Sequence, residues 1–162
     1  MVLRLEARDV APRLATGAFI LNAGLTMLRA DPATAEGVHG TASAAYPFLR
    51  AIPAERFTRL LACSEIAVGG ALLAPFVPPR LAGLALTGFS GGLVGLYLRL
   101  PGMRESGSLR PTPDGIPLAK DSWMLGIGLG LLAAPCSRRR AAASRLRRVG
   151  GHRHGRCRCR CH

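Results

Sequence analysis

Large rings are scarce in this chain: five Phe, two Tyr and one Trp in 162 residues. A water-soluble domain of this size normally fills its core with such side chains, so their shortage argues against an ordinary globular interior. Acids are scarce as well, nine Asp and Glu against 22 Lys and Arg, and none follows Pro135. Missing too are a haem-ligating His pair, a glycine fingerprint for flavin or dinucleotide and, before residue 136, any iron–sulfur cysteine spacing. The cofactor is therefore unknown, no catalytic residue is assigned, and whether the chain is an enzyme stays open. No internal repeat is evident. Glu6 and Asp9 stand where a secretory leader carries basic residues, so a cleaved signal peptide is not expected.

What the chain has is apolar runs. Leu14 to Leu28, Leu60 to Val77, Leu81 to Leu98 and Ser122 to Pro135 contain one charged side chain between them, Glu65. Each falls a little short of the roughly 20 residues that cross a bilayer, and flanking residues extend each. A soluble four-helix bundle would carry a polar stripe on every helix. Leu81 to Leu98 offers only Thr87, Ser90 and Tyr97, too few for a solvated face. The pattern predicts an all-α integral membrane four-helix bundle over residues 1–135. The lipid bilayer is its first partner, and a homo-oligomer is compatible with its glycine spacing.

The basic excess belongs elsewhere. Residues 136–162 hold ten arginines and no acid, which leaves the first 135 residues with twelve basic and nine acidic side chains. A nucleic-acid partner is not inferred, because the charge sits in an appendage that reads as a disordered tail. Its end, HRHGRCRCRCH, superficially resembles a metal cluster. Cys157, Cys159, Cys161 and His162 lack the spacing of a zinc knuckle, so no metal site is expected there.

Connections fix which ends share a side. Residues 29–59 read as a long first loop, with Pro53 opening the second helix; Pro75, Pro78 and Pro79 make a tight turn; Arg99 to Lys120 form a third loop. Loops one and three then lie on one face. Counted inward from that face at 1.5 Å per residue, Asn22, Glu65, Tyr97, Lys120 and Asp121 all fall within roughly 10 Å of it. They form the candidate polar pocket. Ala15, Ala18, Asn22 and Thr26 make a small-residue face on helix one, and Ala62, Glu65, Gly69 and Leu72 make one on helix two; both are expected to pack inward. The pairs Gly88 and Gly92, Gly91 and Gly95, and Gly126 and Gly130 are expected to serve packing within the bundle.

Other residues read more plainly. His39 and Tyr46 are taken as solvated loop residues in preference to a lid, Cys63 as a buried inert thiol, and Asp121 as an N-cap beside an interfacial Trp123. The body's arginines alone favour loops one and three inside the cell. The tail reverses the balance, so both termini are expected in the cytoplasm.

The succession of RLATGAFILNAGLTML, CSEIAVGGALL and KDSWMLGIGLGLL resembles the DoxX family of small four-helix bacterial membrane proteins, over roughly residues 10–135. The resemblance implies a four-span bundle in the bacterial inner membrane with Glu65 as the matching acidic position, and a link to thiosulfate and quinone oxidation. It carries no cofactor motif onto this chain. Two functions remain in view: a structural or interaction subunit, with a membrane or peripheral oxidoreductase as partner, or a redox-linked subunit that binds a quinone or relays protons around Glu65.

Overall fold

A computed structural model describes residues 7–105 and 107–133, where every regular element is helical. The basic tail, with its cysteines and histidines, lies outside the described residues. In chain order the helices are α1 (Ala7–Met27), α2 (Pro32–Ala45), α3 (Ala54–Leu73), α4 (Pro79–Arg99), α5 (Ile116–Ala119) and α6 (Ser122–Ala133). Short 3-10 turns occupy Pro47–Ala51 and Pro113–Gly115. Pro32 and Pro79 open helices at their first turn and Pro53 and Pro78 precede one, positions where a missing N–H costs nothing.

The four apolar runs fall on α1, α3, α4 and α6. Two connections differ from expectation. Residues 29–59 contain α2, which starts because the Asp31 carboxylate accepts the Thr34 N–H at 2.7 Å. The backbone and hydroxyl of Thr34 hold that carboxyl below its usual range, so the cap is lost only as acid titrates it. The second run leaves the helix after Leu73, because the extended Ala74 precedes Pro75 and the chain must turn before α4. The third connection is also ordered. Gly102 and Gly107 adopt left-handed φ of 83° and 75°, and Thr112 Oγ1 donates to the Gly102 carbonyl at 2.6 Å.

Two close helix pairs make the bundle. In the first, α1 lies on α3: a Cβ on Gly69 would stand 2.7 Å from the Leu21 nitrogen and 2.9 Å from the Gly17 carbonyl oxygen. In the second, α4 lies on α6, where a Cβ on Gly83 would meet Leu131 Cβ at 2.8 Å and the Gly128 carbonyl at 2.9 Å. Ile20, Val68, Leu72, Leu86, Met124 and Leu131 join the pairs in one core.

Two of the packing expectations need correction. The expected inward face of α1 points outward: Ala15, Ala18, Asn22 and Thr26 are exposed, and Arg13, Thr16, Gly17, Ile20 and Gly24 are buried in their place. Of the paired glycines on α4 and α6, Gly88, Gly91, Gly92, Gly126 and Gly130 have no atom within 4 Å of a built Cβ. Only Gly95 makes a close approach, to the Tyr46 hydroxyl. On α3 the expectation matches, since Ala62, Gly69 and Leu72 are buried. Glycine thus marks contact only where another backbone crosses it.

Pro79–Arg99 and the helical run Pro113–Ala133 are each long and apolar enough to cross a membrane. The other two long helices are not among these candidate spans; α1 carries Arg8, Asp9 and Arg13, and α3 carries Glu55, Arg56, Arg59 and Glu65.

Candidate functional site

Two of the five residues expected in the polar pocket come together. Glu65 is half-buried with its Cβ against α1, where a Cβ on Gly24 would approach it to 2.9 Å. Asp121, half-buried at the start of α6, lies near enough for its charge to act on Glu65. Glu65 Oε2 is buried and accepts no hydrogen bond. The side chains of the remaining three go elsewhere. Asn22 is exposed because α1 turns its glycines to α3; Lys120 is exposed; and Tyr97, though buried, donates its hydroxyl to the Leu109 carbonyl at 2.8 Å, tying down the third loop. Asp121 contributes its backbone carbonyl to the first turn of α6, accepting from Leu125 N at 3.3 Å. Trp123 packs edge-on to Phe19, ring centres 6.2 Å apart.

At the opposite end of the bundle stands a residue the sequence offered only as a flanking charge. Arg13 is 2% exposed and donates four hydrogen bonds: Nε to Leu72 O at 2.8 Å, Nη1 to Val77 O at 3.1 Å, and Nη2 to Ala71 O and Ala74 O at 3.0 and 2.9 Å. The last carbonyls of α3 have no intrahelical donors, and their dipoles concentrate negative charge there. A planar guanidinium meets several of them at once. Asp9, one turn earlier and also buried, acts on the same cation. An arginine in the second turn of an apolar helix is the only signal the sequence carried.

Between α2, α3 and α4 opens a crevice of about 490 Å³. Its rings are Tyr46, Phe57 and Phe89, three of the eight aromatics, brought in by three separate elements. Tyr46 and His39 are structural here, not solvated. The Tyr46 hydroxyl donates to Gly92 O at 2.9 Å, and its ring carries the Arg99 guanidinium 4.8 Å from the centroid. His39 Nε2 lies 3.1 Å from Leu49 O and its ring stands edge-on to Phe57. The hydroxyls of Thr41 and Ser64 also donate to backbone, to Gly37 O and Leu61 O. Hydroxyl protons on the wall are therefore already used, and among the described residues no charged side chain lines it. Cys63, expected buried, is exposed, since it lies on the side of α3 away from α1.

Comparison with protein-family models, curated proteins and solved structures finds no match to this chain.

Proposed function

We propose that the chain is a small multi-pass membrane protein of the DoxX type, with α1, α3, α4 and α6 as spans and both termini in the cytoplasm. It serves as a structural or interaction subunit beside a membrane or peripheral oxidoreductase and has no catalytic centre of its own. One observation carries the membrane part. Polar side chains are sealed inside, Arg13, Thr16, Thr58 and Ser90 among them, while large apolar ones face outward, with Phe19 58%, Leu60 61% and Leu84 60% exposed. In water those outward side chains, a little over half exposed, would forfeit roughly 1 to 2 kcal/mol each; in lipid they cost nothing. The hydroxyls of Thr58 and Ser90 and the guanidinium of Arg13 satisfy backbone carbonyls, the arrangement a bilayer demands. After fractionation and an alkaline carbonate wash the protein is expected in the pellet. Recovery in the soluble phase would sink the reading.

The juxtaposed carboxyls favour a second reading, proton exchange in a redox-linked subunit that binds a quinone. Only an acid at position 65 can gain and release a proton. Glu65→Gln also removes the like charge on which Asp121 acts. At alkaline pH it is expected to melt above the parent, by about 2 to 4 °C for each kcal/mol of repulsion relieved. A Glu65 with no chemical role then tolerates Gln in every assay, whereas a proton-exchanging one loses quinone-linked turnover with the bundle still folded. Extracted quinone and the visible spectrum of the purified protein separate the two readings.

A further inference from the structure

We propose that the crevice between α2, α3 and α4 holds an acyl chain of an anionic phospholipid whose phosphate pairs with Arg99. The inference rests on the membrane reading above. Its first support is the chemistry of the wall. Tyr46, Thr41 and Ser64 have given their protons to backbone carbonyls, so a polar or carbonyl-bearing ligand would find no hydroxyl donor and would lose the hydrogen bonds that it makes in water. A hydrocarbon chain loses nothing.

Shape is the second support. The crevice follows α3 from Phe57 to Ser64 and α4 from Phe89 to Leu96. Each stretch rises about 10 Å at 1.5 Å per residue, so the space runs along the helices, as a lipid tail does. Gly37 on α2 and Gly92 on α4 line it with no atom within 4 Å of a built Cβ, which leaves its width open.

Charge is the third. Arg99 ends α4 and is exposed, with its guanidinium held over Tyr46, itself part of the wall. Arg50 stands in the 3-10 turn that contributes Leu49 to the same wall. An exposed cation at the end of an apolar channel matches an anionic headgroup above its own tail. The stacked ring fixes the guanidinium plane, and a planar fork suits a phosphate.

The test uses the full chain, extracted in mild detergent from vesicles of equal dioleoyl phosphatidylglycerol and dioleoyl phosphatidylcholine, with retained lipid read by native mass spectrometry. The parent is expected to retain phosphatidylglycerol in preference. Arg99→Gln should still retain lipid but lose roughly fivefold in that preference, about what one charge near an anionic surface contributes. Gly92→Leu and Gly37→Leu fill the channel from opposite walls; each should lower retention of both lipids by about tenfold with the melting temperature kept. Unchanged retention in both filling variants, an unchanged preference in Arg99→Gln, or a neutral lipid or quinone held in the crevice overturns the proposal. A protein that stays in the carbonate pellet yet shows no preference for phosphatidylglycerol defeats this site alone. One that leaves the pellet defeats the membrane reading.

Discussion

Arg13→Met is expected to lower the melting temperature in detergent on the order of 10 °C, a loss of roughly 3 to 5 kcal/mol. Methionine fills similar space but donates nothing, so the carbonyls of Ala71, Leu72, Ala74 and Val77 lose the donor that now serves all four. The Leu72 carbonyl is buried and, left unmet, costs about 1 to 3 kcal/mol; the part-buried carbonyls of Ala71 and Val77 cost less, Ala74 O keeps the Val77 N–H, and fraying of the last turn of α3 recovers part of the loss. Arg13→Lys should fall between the two. An ammonium keeps the charge beside the helix C-terminus, but it is a compact point and cannot span acceptors from Ala71 to Val77. Thermal melting followed by circular dichroism checks both variants; an Arg13→Met protein as stable as the parent would show that water reaches those carbonyls.

Adjacent glycines on α3 should respond to alanine with opposite sign. At Gly69 the new methyl meets the Leu21 nitrogen at 2.7 Å, the Gly17 carbonyl at 2.9 Å and the Leu21 Cα at 2.9 Å. Backbone atoms cannot rotate away, so α1 and α3 must part, at a cost of about 1 to 3 kcal/mol. At Gly70 nothing lies within 4 Å. There alanine only restricts the unfolded chain and improves helix propensity, a gain of up to about 1 kcal/mol. Gly69→Ala is therefore expected to melt below the parent and Gly70→Ala at or above it. If both melted together, the close crossing of α1 on α3 would be wrong.

Local rules were enough for the helices, because they depend on neighbours in the chain. Apolar runs without turn residues became α1, α3, α4 and α6, and proline marked where helices begin. α2 escaped the sequence reading because PATAEGVHGTASAA has three prolines around it and little apolar character, although Asp31 before Pro32 is a helix start. Two of the five candidate pocket residues were legible for a similar reason. The positions of Glu65 and Asp121 along their helices fixed a common depth, but Asn22, Tyr97 and Lys120 shared it and did not join them.

Depth says nothing about rotation, and rotation was decided by tertiary contact. A run with small and apolar residues on several sides has no single stripe that tells inside from outside, and the face of α1 expected to pack inward was the one with Asn22. The structure uses the one with Gly17 and Gly24, because only there can the backbone of α3 come within reach. The role of Arg13 depends on carbonyls 58 to 64 residues away, and the crevice on rings from three elements. From its sequence alone, this protein has its helices, its apolar character and the depth of its charges. Which faces meet, which cation is consumed inside and where a cavity remains were settled by packing, since each requires two distant segments to share one volume.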